Sequence, residues 1–246
     1  MSMAPRAAKS SPPSAPADLL APGLPGESLA DAAYRRVKSE ILAMRLAPDD
    51  LVLAYEMAER FGISRTPMHE ALKRLCHEGF LQVYPRVGYV VTPILASDVR
   101  DVFELRLLNE GMAAALAAER ATERDLKVFQ TLEDRQAEIR RTTSVSDEEA
   151  PVIYAAFNRE YHLAIATMSG NRRLASLIGR LLDEGMRLFF LNSLDPTPHE
   201  MADPHGDVAK AIAAHDAGEA RRIMMAHVAE TQQRTLRSLG ASVGST

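Results

Sequence analysis

The chain has one cysteine, Cys76, in 246 residues, so an intrachain disulfide framework is excluded and a reducing compartment is indicated. No apolar run is long enough to span a bilayer, and the first residues lack the charged-then-apolar pattern of an export signal. Both absences point to the cytoplasm and away from membranes. There is no internal repeat, no GxGxxG phosphate loop and no Ser/His/Asp spacing that would suggest nucleotide or acyl chemistry. An excess of basic charge is also missing: the net charge is −4. What is present is an ordinary globular composition, 46% hydrophobic and 25% charged, with length enough for two modest domains.

The charge is unevenly distributed. Between Arg60 and Val91 five basic residues (Arg60, Arg65, Lys73, Arg74, Arg86) face two acids (Glu70, Glu78), whereas from Ser97 onward 18 basic residues meet 23 acidic ones. A mildly basic head on an acidic body is compatible with DNA binding through one face. Residues 49–91 read as a winged helix-turn-helix. Met57, Ala58 and Phe61 mark the inner face of a short helix and Gly62 a tight turn. Ser64 is the expected N-cap of a second helix, its hydroxyl accepting a backbone N–H, with Pro67 in the first turn. Met68, Ala71, Leu72 and Leu75 form its buried stripe, and Arg65, Thr66, His69 and Lys73 its polar stripe. A donor-rich helix face after a glycine turn suits the major groove. Gly79 ends that helix, and two strands, 80–84 and 89–92, flank a turn that puts Arg86 at a hairpin tip, in reach of a phosphate or the minor groove. Cys76, beside Leu75, reads as packing rather than as a redox sensor.

The run Gly-Ile-Ser-Arg-Thr-Pro-Met-His-Glu-Ala-Leu-Lys-Arg-Leu, followed by Glu-Gly-Phe-Leu and a glycine-containing wing, resembles the GntR family of bacterial transcription regulators. The resemblance implies that Arg65 and Thr66 contact DNA. Ser64, His69, Lys73, Arg86 and Gly88 complete the expected DNA-binding set. The family pattern has Val and Arg where this chain has Met68 and His69, so the operator is expected to differ.

Residues 1–27 are rich in Ala, Pro and Ser and read as a disordered tail. The winged domain is expected over 28–93, with Ser28 capping a bracing helix, and an all-helical domain over 94–240 before a short tail, 241–246. Ser97 is expected to open a long helix bearing apolar Val99, Val102, Phe103, Leu105, Leu108, Met112 and Leu116. Thr122 caps the next, Ser146–Glu149 forms a capping box, and Gly170-Asn171 separates two more. The last two helices turn at 216–218. The fold class is therefore mostly α: a winged helix-turn-helix plus an antiparallel six-helix bundle.

Asn158 and His162 lie i and i+4 on one helix face. His205 and His227 stand about twelve residues before and ten after the turn at Ala217, roughly 18 and 15 Å away at ~1.5 Å per residue, so their rings can lie side by side. Three neutral imidazoles and an amide oxygen suit a divalent ion such as zinc or nickel.

The same stretch, Asn158-Arg-Glu-Tyr-His162 with Ser169-Gly-Asn171 and a closing pattern from His205 to His227, is similar to the FCD effector domain of the FadR-type branch. Six helices look like its VanR-type subgroup. The resemblance implies that Asn158, His162, His205 and His227 are metal ligands, with asparagine in place of the commoner aspartate. It also puts Arg106 on the helix lining an effector pocket, where a guanidinium can hold a carboxylate. The alternative for Arg106 is an i,i+4 pair with Glu110 on the helix surface. His199 and His215 are expected to face solvent.

Together these readings describe a homodimeric, ligand-responsive regulator, favoured as a repressor, that binds an inverted-repeat operator and a small carboxylate and is not an enzyme. The alternatives are a metal-sensing regulator and a metal-dependent enzyme with a DNA-binding head. Against the enzyme, no general base stands beside the histidines, Glu160 being on another face.

Overall fold

A computed structural model describes residues 26–143, 150–192 and 205–243. Residues 1–25 of the expected N-terminal tail, 244–246 of the C-terminal one and the box Ser146–Glu149 lie outside the described residues. The chain divides at Ile94/Leu95 into two compact units.

The first unit runs α1 (Leu29–Leu42), β1 (Leu51–Val52), α2 (Ala54–Phe61), α3 (Arg65–His77), β2 (Leu81–Tyr84) and β3 (Gly88–Val91). Structure begins before the first helix, because the Glu27 carboxylate accepts two bonds of 2.6 Å from Arg35. The Ser28 hydroxyl then accepts from Asp31 N at 3.1 Å and caps α1. Ala33, Val37 and Ile41 of α1 pack toward Met68, Ala71, Leu72 and Leu75 of α3, all fully buried. At ~1.5–3 kcal/mol for each large side chain, this contact is a main hold on α3. Gly62 takes φ 65° and turns α2 into α3.

Ser64 occupies the N-cap position with extended backbone, but its hydroxyl makes no cap bond, which corrects the expected side-chain cap. The three strands are antiparallel in the order β1-β3-β2. Strand β1 is only two residues long, too short for alternation to reveal it, and it covers the outer edge of β3 through Leu51–Val90 and Val52–Tyr89.

The second unit contains α4 (Ala96–Arg120), α5 (Glu123–Thr142), α6 (Ala150–Met168), α7 (Arg172–Asn192), α8 (His205–Ala213) and α9 (Ala217–Val243). Helix α4 opens at Ala96 rather than Ser97, because Asp98 accepts from Leu95 N at 2.7 Å. Thr122 and Asp125 close a reciprocal capping box on α5. Gly170, at φ 67°, ends α6, and the Asn171 carboxamide oxygen accepts from two backbone N–H groups of α7. Helix α9 continues past Leu239 into the expected tail.

Helix α4 is the centre of this unit, packing on α6, α7, α8 and most extensively α9. The close approach needs Gly111, where a Cβ would fall 2.6 Å from Met225 Cγ. The expected apolar face of α4 divides. Val99, Val102 and Phe103 are buried, whereas Leu105, Leu108 and Met112 are 48%, 58% and 44% exposed. The inner stripe is completed by Arg106, Glu110, Ala113, Ala114 and Ala117, small residues and one ion pair.

Candidate functional site

Three helices bring the four predicted ligands together. Asn158 and His162 come from successive turns of α6, His205 opens α8, and His227 lies in the middle of α9. His162 Nε2 stands 3.1 Å from His227 Nε2 and 3.3 Å from His205 Nε2, and His205 Nε2 is 3.2 Å from Asn158 Oδ1. Nitrogens held at about 2.0–2.1 Å by a tetrahedral zinc lie about 3.3 Å apart, so the residues present fit such an ion. Among the described residues His162, His205 and His227 form the one cluster suited to a metal.

Their surroundings keep two of them neutral. Burial, followed by the nearness of the His162 imidazole, pushes the His205 imidazole well below its ordinary range. Burial, then His162, His205 and Arg106, does the same to His227. A neutral imidazole is the metal-binding form. The chain has few aromatic residues, yet several surround His205. The Tyr161 ring lies 4.5 Å from it, backed by Phe129 and Phe157, and Tyr161 Oη donates to the His205 carbonyl at 3.1 Å.

Arg106 and Glu110 are buried, 5% and 2% exposed, with Arg106 Nε donating to Glu110 Oε1 at 2.6 Å. The surface-pair alternative is thereby corrected: the i,i+4 pair exists, but it faces the bundle interior. The other carboxylate oxygen, Oε2, is hydrogen-bonded to His162 Nδ1. Burial alone would raise the Glu110 carboxyl; Arg106 and His162 overcome this and hold it down to about 2. Glu110 was the residue that sequence reasoning missed. Its only signal was the spacing to Arg106, since His162 is 52 residues away. Arg106, Asn158, His205 and His227 line a cavity with Gln136 and Thr231. The cavity, about 80 Å³, has room for roughly six water-sized groups at 10–15 Å³ each.

His215 is exposed, with Nδ1 2.7 Å from the Ala118 carbonyl oxygen; His199 lies outside the described residues. Glu160 pairs at the surface with Arg135 at 2.5 Å, away from the histidines.

In the first unit Ser64, Arg65, Thr66, His69 and Lys73 are all exposed along α3, and Arg86 is exposed at the hairpin tip with φ 66°. Of the five basic residues counted above, Arg60 binds buried Glu40 at 2.5 Å and Arg74 binds Asp31 at 2.5 Å while lying on Tyr34. Arg65, Lys73 and Arg86 have no ion-pair partner among the described residues. His69 Nδ1 lies 3.3 Å from the Tyr89 hydroxyl, which ties the helix to β3. Gly88 has a packing reason to be glycine: at φ 146°, a Cβ would meet Leu53 Cδ2 at 2.9 Å and Val52 O at 3.2 Å. Burial raises the Cys76 thiol, which fits packing.

The family model described as FCD domain matches residues 101–230, and the one described as bacterial regulatory proteins, gntR family, matches residues 29–91. The Nta operon transcriptional regulator of Aminobacter aminovorans is 27% identical over 182 residues, 74% of this chain and 82% of its own length. An uncharacterized HTH-type transcriptional regulator of Bacillus subtilis, YdhC, is 27% identical over 150 residues; the match takes in 61% of this chain and 65% of that relative. The solved structure of E. coli McbR/YncC superposes with a TM-score of 0.70 at 25% identity, covering 84% of this chain and 98% of that one. The gntR family model and these two relatives are described as regulators, of transcription in the case of the relatives, and not as enzymes.

Proposed function

Because the chain belongs to the GntR family of bacterial regulators with an FCD domain, we propose that it is a homodimeric transcription factor, acting as a repressor, whose helical unit binds a divalent ion and a small organic acid. The observation that carries this reading is the convergence of three imidazole Nε2 atoms and an amide oxygen beside a cavity lined by Asn158, His205, His227 and Arg106. Asn158, His162, His205 and His227 would hold the ion, zinc or nickel by donor type, in the four-residue set the sequence suggests. A bound ion supplies a Lewis-acidic position for an acid's oxygens. The chain itself supplies Arg106, which can take a carboxylate through two parallel N–H groups.

The three uncommitted cations Arg65, Lys73 and Arg86 support DNA binding through α3 and the wing, with Ser64, Thr66 and His69 beside them. Two copies related by a two-fold axis would meet an inverted repeat. The exposed apolar stripe Leu105, Leu108 and Met112 on α4 supports a second copy, and the six helices among the described residues of the second unit support placement in the VanR-type subgroup. The acid releases DNA only by favouring the arrangement that binds DNA less well. A cytoplasmic location follows from this role.

Metal content per chain, measured on protein purified without chelator beside His162→Ala, tests the reading. About one ion per chain, lost in the variant, is expected. A wild-type site that stays empty after zinc, nickel and manganese are offered refutes the metal. If the metal alone shifts DNA affinity and no organic acid does, the ion is the signal and the acid is refuted.

A further inference from the structure

We propose that Glu110 is the positioning residue of the cavity, a single carboxylate that fixes the tautomer of His162 and the fork of Arg106 together and so couples metal binding to anion binding. This rests on the metal-and-acid reading above. Glu110 Oε2 accepts the proton on His162 Nδ1, which leaves Nε2 as the lone-pair nitrogen. Nε2 is the atom that meets His205 and His227. Without an acceptor at Nδ1 the proton can move to Nε2, and a protonated Nε2 cannot serve as a ligand.

Glu110 Oε1 holds Arg106 by its inner edge alone. Among the described residues that Nε bond is the only hydrogen bond Arg106 makes. The outer edge passes beside Gly185, whose missing side chain leaves its space: a Cβ there would stand 3.0 Å from Arg106 Nη1. Phe103 supports the guanidinium from one face, 4.9 Å from its ring centre. A buried cation with one edge fixed and the other lining a cavity is arranged to receive a carboxylate.

The two contacts share one pair of oxygens, so they cannot act independently. An acid seated on Arg106 draws guanidinium charge away from Glu110, which becomes a stronger acceptor for His162 Nδ1–H. His162 in turn becomes a stronger donor through Nε2. Metal and acid therefore raise each other's affinity by the same factor. A helix pair serving only stability makes no such demand on His162.

Glu110→Gln in the full-length chain tests this, with zinc affinity read by competition against a chromophoric chelator. The glutamine has one carbonyl oxygen and can satisfy only one of the two donors. Zinc should bind about 10–100-fold more weakly. Nitrogen NMR of the metal-free protein should show His162 changing from one tautomer to a mixture. Acetate, the simplest carboxylate probe, should tighten zinc binding in the wild type and fail to do so in the variant. Glu110→Asp keeps the charge but draws it one methylene away from Nδ1. It should show the same zinc loss, and it serves if the glutamine variant does not fold. Wild-type zinc affinity in both variants, beside a His162→Ala chain that has lost its zinc, overturns the role of Glu110 and leaves the pocket intact. No effect of acetate on wild-type zinc affinity overturns the coupling. A wild type that takes no zinc overturns both readings.

Discussion

Zinc added to metal-free protein should raise the unfolding temperature of the helical unit, and His205→Ala should abolish the rise. The ligands come from α6, α8 and α9, so an ion held by them ties together three helices that are separated when the unit unfolds. His205 and His227 stay neutral when folded, so no proton has to leave either ring near pH 7 for the ion to bind. At free metal one hundred times the dissociation constant, binding to the folded state alone stabilises by about 2.7 kcal/mol. For a unit of some 150 residues each kcal/mol moves the midpoint by about 2–4 °C, so a rise of roughly 5–11 °C is expected. Differential scanning calorimetry with and without a chelator reads it directly. Truncating His205 also opens a cavity beside Tyr161, so the metal-free variant should itself melt lower. The decisive quantity is the difference between metal-loaded and metal-free forms of each protein. An equal rise in wild type and His205→Ala would show that zinc acts elsewhere, and the cluster would then be a set of packed histidines.

Three further outcomes are expected. Asn158→Asp puts a carboxylate where Oδ1 now stands 3.2 Å from His205 Nε2, and zinc affinity should rise at least about ten-fold in the same chelator competition; an unchanged value removes Asn158 from the ligand set. Arg65→Ala, at an exposed position without an ion-pair partner, should weaken operator binding by about 1–3 kcal/mol without lowering the melting temperature, as anisotropy and calorimetry would show. Gly88→Ala should destabilise the first unit by about 2–4 kcal/mol, combining backbone strain with the collision against Leu53 and Val52; if thermal melts show full stability and only DNA affinity falls, Gly88 serves as a contact.

Local chemistry explains what could be read in advance. Helical spacing of Met68, Ala71, Leu72 and Leu75, the glycine at 62 and the cap at Ser28 each depend on neighbours within a few residues, and all stand as expected. Asn158 and His162 share a face for the same reason. His205 and His227 could be placed because a single turn of known position relates them. Where partners are remote, the pattern was silent or misleading. Strand β1 is defined by β3, almost forty residues later. Leu105, Leu108 and Met112 are as apolar as Phe103, but the face of α4 that α9 approaches at Gly111, where Met225 comes close, is not the one they occupy. Arg60 and Arg74 count as basic in composition, while their charge is answered by Glu40 and Asp31 on α1, so the cationic surface of the first unit is narrower than its sequence suggests.

The buried pair Arg106–Glu110 shows why the centre of the site could not be recovered from spacing. At i,i+4 the pair has the signature of a solvated surface contact worth a few tenths of a kcal/mol. In the folded unit both groups are removed from water, which is costly enough that apolar side chains of the same volume are often at least as stabilising. Stability alone therefore does not account for placing it on the inner stripe of α4. Three features do: the second carboxylate oxygen reaches His162, Gly185 leaves room for the guanidinium, and the cavity opens beside it. Each involves a residue more than fifty positions from Glu110, and each makes sense only if the charge is kept for a ligand. On this argument, replacing Arg106 and Glu110 together by methionine and leucine should cost the bundle no more than about 1–3 kcal/mol, the loss of an acceptor for the buried His162 Nδ1–H, while removing the response to acid. A double variant much less stable than wild type in the calorimeter would instead return the pair to a structural role.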